Sequence, residues 1–257
     1  MKIFRYIGVF SIVLFSFYYT EKIANYVLEK NDLYQEIENK KKDYEINSVS
    51  AIINDTYIIP GYNGTKVNVK DSYFNMKSLN VFNEFYLIYN EVMPLISLEQ
   101  NKDKIILQGN KAKKSVSFIL ENDEQIIQYF QNNNMQADLL IDFDSFSKDT
   151  NFEYINNDAI KYNEVESLLN NYDLNKNLCV INSNIESICR KNEKYLLEPE
   201  IITNSNFINV KNSIESGKIY LVKKGLRVDN LKTIIKQIKF MDFNIISVSK
   251  LIEEKRS

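Results

Sequence analysis

At 257 residues the chain is long enough for one large domain or two small ones, and its apolar and charged fractions are those of an ordinary globular protein. Its 32 basic and 34 acidic residues are intermixed and leave a net charge of −2, so no basic field exists to hold a nucleic-acid backbone. There is no histidine, which excludes Ser-His-Asp and Cys-His catalysis, His-ligated zinc and any imidazole general base.

Lys2 and Arg5 precede an apolar run from Tyr6 to Tyr19. With Ile3 and Phe4 it approaches the lower length limit for a membrane helix. No Ala-x-Ala site follows, so residues 1–20 read as an uncleaved transmembrane signal anchor. A cleaved secretory signal and a buried globular helix are the alternatives. The charges before the run put the N-terminus on the cytoplasmic side, which predicts a single-pass protein of the cell membrane with its C-terminal domain outside. Residues 21–47 are charge-rich, with Ile23, Tyr26, Val27, Leu33, Tyr34 and Ile37 at helical spacing, and read as a stalk helix or linker. Lys40-Lys41-Lys42 is a solvated face on this reading, with a membrane-surface contact the alternative.

Residues 48–113 read as a small, mostly β module. Ile52-Ile53, Tyr57-Ile58-Ile59, Tyr86–Tyr89 and Lys104–Leu107 are its strands; Pro60-Gly61 and Asn63-Gly64 are turns; Asp71–Leu79 is a short helix. Two triplets beginning at Asn54 and Asn63 match a glycosylation acceptor and are taken as coincidence in so Asn-rich a chain.

Residues 114–257 change to strand–helix alternation, and Lys114–Phe146 opens it. Val116–Leu120 is a buried strand. Asn122 or Asp123 caps the next helix, with Gln125 completing a capping box, and Ile126, Ile127 and Phe130 share one face. Asn132-Asn133-Asn134 ends that helix, and Ala137–Ile141 is the second strand. Two such strands joined by a helix pair in parallel with a right-handed crossover. Further on, Asn163–Asn171 is a helix and Leu178–Ile181 a strand. Ser183-x-x-Glu186 caps a helix that turns Ile185, Ile188 and Cys189 inward. Tyr195–Leu197 and Ile201-Ile202 are extended, and a helix through Val210 and Ile214 stops at Gly217. Ile219–Val222 is a strand, Asp229 caps a helix with Leu231, Ile234, Ile235, Ile238 and Met241 on one face, Ile245–Val248 is the last strand, and Ser249 opens a terminal helix.

This order resembles the polysaccharide deacetylase (NodB-homology, carbohydrate esterase) family over roughly Lys114 to Glu254. Ile119-Leu120-Glu121-Asn122-Asp123 stands where the family has Thr-Phe-Asp-Asp-Gly, and Ala137-Asp138-Leu139-Leu140-Ile141 where it has Ala-Thr-Phe-Phe-Val. The closing helix and Asp242–Glu254 resemble the family's final unit. The resemblance implies an α/β fold, a distorted (β/α)7 barrel, here preceded by the β module and the transmembrane helix. It also implies a divalent metal held by one Asp and two His beside an Asp base. Glu121 falls at the base position and Asn122, a neutral amide, at the metal Asp. The two His map onto Asn157 and Lys161, and the late Leu-x-His strand end maps onto Lys223. No counterpart of the family's Arg-x-x-Pro is present. The chain thus resembles a degenerate member without the Asp-His-His set, and no metal or cofactor is expected.

A replacement site is conceivable from the residues alone. Asp142 and Asp144 lie on one side of an extended segment, and with Glu121, Asp123 and Asp158 they offer a cation site or an acid/base pair. The alternative makes these acids caps and solvated loop residues. Cys179 and Cys189, the only cysteines, are two buried thiols or a disulfide. Tyr154 and Tyr162 are candidates for stacking on sugar rings, although most aromatics belong in the core. Three functions follow: an inactive deacetylase-like module that binds a cell-envelope glycan or a partner protein, an active carbohydrate deacetylase with an atypical carboxylate site, or a structural envelope component.

Overall fold

The computed structural model describes residues 2–144, 152–174 and 176–256. Ser145 and Phe146, at the end of the opening unit, lie outside the described residues. The helices are α1 (Lys2–Glu29), α2 (Asp32–Lys40), α3 (Val69–Met76), α4 (Glu124–Asn132), α5 (Tyr162–Asn171), α6 (Glu186–Lys191), α7 (Phe207–Asn212), α8 (Val228–Phe240) and α9 (Val248–Ile252). The strands are β1 (Ile52–Ile53), β2 (Tyr57–Ile59), β3 (Gly64–Val67), β4 (Tyr89–Val92), β5 (Ile105–Ile106), β6 (Ser115–Leu120), β7 (Ala137–Ile141), β8 (Phe152–Asn156), β9 (Leu178–Val180), β10 (Tyr195–Leu197), β11 (Glu200–Ile202), β12 (Ile219–Val222) and β13 (Asn244–Ile245).

The chain divides into two compact units, one of residues 1–47 and 64–92 and one of residues 48–63 and 93–257. The stretch 48–113, expected as one module, is therefore shared between them. In the first unit α2 is not a free stalk. Its apolar pair Leu33 and Ile37, one turn apart, is buried against Val67, Val69, Tyr73, Met76 and Leu87. Asn31 caps α2 and Asn68 caps α3 by accepting backbone N–H bonds. β3 and β4 pair as an antiparallel hairpin. The strand expected at Tyr86–Tyr89 starts only at Tyr89, because Asn83 caps a 3-10 turn over Glu84–Tyr86. Among the described residues no helix is long and apolar enough to cross a membrane.

The second unit is a mixed α/β fold with parallel sheets. One sheet runs β11-β12-β6-β7-β8 with β13 also against β6, and every pair in it is parallel. The other runs β1-β2-β5-β10-β9, with only β1–β2 antiparallel. Strand alternation divides the apolar residues between two cores. Phe118, Leu120, Leu139 and Tyr154 pack outward with Ile126 and Phe130 of α4 and Leu231, Ile234 and Ile238 of α8. Ile119, Leu140, Ile155 and Leu221 face inward and meet Ile58, Ile106, Val180 and Leu197 of the second sheet, together with Val248, Leu251 and Ile252 of α9. β6 to β12 follow the order of the expected seven-unit barrel, but the hydrogen bonding is not one continuous circuit. It passes from β10 to β5 rather than to β11, and β8 and β9 end separate sheets. β9, β10 and β11 at these seams are only three residues long, and the upstream strand β5, with β2 beyond it, takes the free edge of β10.

A buried polar network sits at the seam after β8. The Asn156 side chain donates to Glu166 Oε1 at 3.1 Å and to the Tyr162 carbonyl at 3.0 Å. Lys194, whose side chain is 4% exposed, pairs with Glu166 at 2.5 Å. Burial, and then the Glu166 charge, raise the Tyr162 phenol above its ordinary range. Nearby, Cys179 and Cys189 form a disulfide with Cα atoms 6.2 Å apart, joining β9 to α6.

Several expected helix boundaries are corrected. Of the two cap candidates for α4, Asp123 is the one used, accepting from Gln125 and Ile126. Ser183 does not cap α6; the Asn182 carboxamide takes the N–H groups of Asn184 and Ile185, and Glu186 pairs with Arg190. Arg227 holds the cap position of α8 and Asp229 lies in its first turn. Val248 starts α9 instead of ending a strand, after Ser247 rather than Ser249. α7 stops at Asn212; Gly217 serves elsewhere, with φ +91°, where a Cβ would collide with the Gly109 carbonyl oxygen.

Removing one member of a buried ion pair strands the other. Lys194→Ala is expected to lower the unfolding free energy by about 3–5 kcal/mol in chemical denaturation. Lys194→Met combined with Glu166→Leu is expected to recover most of that loss. A Lys194→Ala protein as stable as wild type would show that the network contributes nothing.

Candidate functional site

The parallel strands β6, β7, β8 and β12 place Glu121, Asp142, Asn157 and Lys223 at their C-terminal ends, the end where open α/β sheets carry their ligands. β12 pairs with β6 through Val222↔Leu120, so the next residues, Lys223 and Glu121, emerge side by side. Lys223 Nζ sits 2.5 Å from Glu121 Oε1. Glu121 Oε2 accepts the Lys224 backbone N–H at 2.8 Å. Both oxygens of Glu121 are therefore engaged by the chain's own donors. Asp123 is committed twice over: Oδ1 caps α4 and Oδ2 accepts the Gly225 N–H at 2.8 Å. Asn122 is exposed between these two acids. With Asp123, Gln125, Lys224, Gly225 and Arg227 it lines an open cleft of about 560 Å³.

On the far side, the loop after β8 is organised by Asp158. Its carboxylate accepts the N–H groups of Lys161 at 2.7 Å, Ile160 at 2.9 Å and Phe143 at 3.2 Å. The Lys161 N–H bond comes first among the effects that hold its carboxyl below the ordinary aspartate range. The loop places Lys161 Nζ 3.5 Å from Asp144 Oδ1 and over the Phe143 ring at 4.5 Å. Asn157 is exposed and accepts from the Asn182 side chain at 3.3 Å. Asp142 is exposed beside them. A second cleft, of about 580 Å³, lies between α5 and α6 and includes Ile160, Lys161, Glu164, Ser187 and Lys191.

The five acids do not come together as a cation site. Glu121 is held by Lys223, Asp144 by Lys161, and Asp123 and Asp158 by backbone donors. Among the described residues no group of three or more His, Cys, Asp or Glu is placed to hold a metal ion. The residues present do not fit the family's divalent metal. An amide stands at Asn122, an ammonium already occupies Glu121, and a second ammonium stands at Lys161. Tyr154 and Tyr162 are not sugar platforms: both are buried, at 2% and 5% exposure, because Tyr154 points into the helix-side core and Tyr162 packs at the start of α5. Sequence reasoning missed the donors that fix the acids. The Lys223-Lys224-Gly225 run was their signal, since a glycine at φ +83° turns two successive N–H groups toward β6.

The fold is polysaccharide-deacetylase-like, and among the described residues its strand ends hold no group of acids placed for a metal ion. A comparison with solved structures agrees. The neighbours include wild-type BA3943, a CE4 family pseudoenzyme from Bacillus anthracis, with TM-score 0.60 at 21% identity over 89% of this chain and 97% of that one. A mutant of it has TM-score 0.57 at 20% identity over 89% and 100%. A further mutant, described as having restored enzymatic activity, has TM-score 0.53 at 18% identity over 87% and 99%. At these identities the likeness establishes the fold. A 92-residue segment, 35% of this chain, is 39% identical to the uncharacterized protein YlxY of Bacillus subtilis (strain 168) and spans 29% of that relative's length. No family model matches.

The Asp158 loop gives a pH signature. A carboxyl held below its unfolded value adds stability above that value, and the contribution is lost as pH falls through the folded-state value. Asp158→Asn is expected to lower stability by a constant amount at neutral pH, and the gap to wild type should close as pH drops below about 4. Denaturation curves at several pH values measure it. A gap that persists unchanged in acid would contradict the assignment.

Proposed function

We propose that this is a membrane-anchored, extracytoplasmic pseudo-deacetylase, a catalytically silent module that binds a cell-envelope glycan or an envelope protein. The observation that carries the reading is the Lys223–Glu121 pair. An internal ammonium sits where a metal centre and a free base would be needed, which disfavours activation of water there. What remains at the strand ends suits binding: two open polar clefts, the exposed Phe143 ring beneath Lys161, and Ile160 exposed at 96%. Its likeness to proteins called CE4 family pseudoenzymes supports the same reading. We also read the two facing sheets as the family's barrel, opened at two seams.

Membrane anchoring rests on α1. Phe10, Ile12, Val13, Leu14, Phe15, Tyr18 and Tyr19 are all exposed on one continuous helix, and a helix apolar on every side calls for an apolar surrounding. Lys2 and Arg5 ahead of that run set the direction of insertion.

Acetylated chitin or peptidoglycan fragments with added zinc or cobalt are expected to release no acetate above buffer, and Glu121→Gln is expected to change nothing. Turnover abolished by Glu121→Gln would establish an active enzyme instead. In cell fractionation the full chain is expected in the membrane pellet, and a chain lacking residues 2–20 outside it. A truncated chain still in the pellet would rule out α1 as the anchor. Co-sedimentation with purified cell wall separates the glycan arm from the protein-partner arm.

A further inference from the structure

The inner core of the second unit contains carboxyl groups that the proposed site does not use. Asp138 of β7 lies opposite Glu153 of β8 in the parallel register. Residues so paired share a face, and Leu140 and Ile155, two positions on, point into the inner core. Asp138 is fully buried, and its Oδ2 accepts the Val248 N–H at the start of α9 at 2.8 Å. Among the described residues its Oδ1 has no hydrogen-bond partner. The same holds for the buried Oε2 of Glu153 and for Oγ of Ser117, on the neighbouring strand β6. The apolar side chains packed on this core are Ile119 of β6, Ile219 and Leu221 of β12, Leu178 and Val180 of β9, Leu197 of β10, and Leu251 and Ile252 of α9, and the titratable Tyr195 of β10 packs partly buried against them. The Tyr195 hydroxyl donates to Glu99 Oε2 at 2.8 Å.

Two ionised carboxylates cannot be held side by side in such a setting. One proton between them resolves the conflict, because the neutral acid becomes a donor and the carboxylate beside it an acceptor. Burial first, against the pull of the Val248 N–H, and then the Glu153 charge raise the Asp138 carboxyl well above the ordinary aspartate range.

We propose that Asp138 and Glu153 share one proton across the β7–β8 register, and that this proton is a pH-sensitive latch on α9. The Asp138 O–H donates to the Glu153 carboxylate. When base removes the proton to solvent, the two negative charges are stabilised only by water, and water reaches them when the five-residue cover α9 lifts. A carboxyl raised in the closed state stabilises that state fully below its unfolded value and progressively less as pH rises towards the closed-state value.

Hydrogen exchange of the full chain, read on the peptide spanning residues 247–256 and corrected for intrinsic rates, tests the latch. In wild type the opening constant of α9 is expected to climb with pH, by up to about tenfold per unit for one proton, and then level off. Asp138→Asn keeps an acceptor for Val248 but cannot ionise, and its opening constant is expected to be flat. Equal slopes in wild type and Asp138→Asn would overturn the proposal. Should Asp138→Asn fail to fold, infrared spectra of wild type and Glu153→Gln decide. Wild type is expected to show a protonated-carboxyl band at neutral pH, shifted in Glu153→Gln because a neutral amide oxygen replaces the charged carboxylate as its acceptor. A spectrum without that band, or a band unmoved by Glu153→Gln, would refute the shared proton.

Discussion

One ammonium–carboxylate contact governs the strand ends of this protein. Lys223 reaches Glu121 because β12 and β6 are parallel neighbours in register, and the turn through Gly225 adds two backbone donors. The pair is partly exposed, so its contribution to stability is modest. Its chemical consequence is larger. A carboxylate that accepts from a lysine and an amide N–H is a weaker base than a free one, and a fixed positive charge beside it repels a divalent cation. Lys161 repeats the device across the site, where it leans on Asp144 and Phe143.

The fold that delivers these residues is held from both sides. β6, β7, β8 and β12 each bury one face against helices and the other against the second sheet and α9. Where the sheets part, side chains take over from backbone pairing. Asn156, Glu166 and Lys194 span the seam after β8, and the Cys179–Cys189 disulfide pins the adjacent strand to its helix. Such a network is demanding, because each buried polar group needs its partners. At Asp138 and Glu153 the partner is best supplied by a proton.

Much of this was legible in the sequence, and the reasons are local. Val116–Leu120 and Ala137–Ile141 are continuous apolar runs flanked by polar residues, and both are strands buried on two faces. The Leu231, Ile234, Ile235, Ile238 stripe is the buried face of α8. Failures came where a distant partner decides. Ser183 satisfies the capping pattern, yet Asn182 takes the donors; Val248 has a strand's character, yet the Asp138 carboxyl oxygen accepts its N–H as the first residue of a helix. Residues 21–47 have a stalk's composition, but Leu33 and Ile37 find Met76 and Val67. At the site, the resemblance alone implied that Asn122, Asn157 and Lys161 stand at the metal-ligand positions. It did not show that Lys223 would turn onto Glu121, since that contact joins residues about a hundred positions apart. The free or bonded state of the two cysteines was likewise open until the strand and helix were seen to bring them together.

The most direct measurement of the central claim is a crystal structure grown in excess zinc, with anomalous scattering collected at the zinc edge. The account predicts Lys223 Nζ on Glu121 and no zinc peak between Glu121, Asn122 and Asn157. A zinc ion bound there with Lys223 swung aside would contradict it.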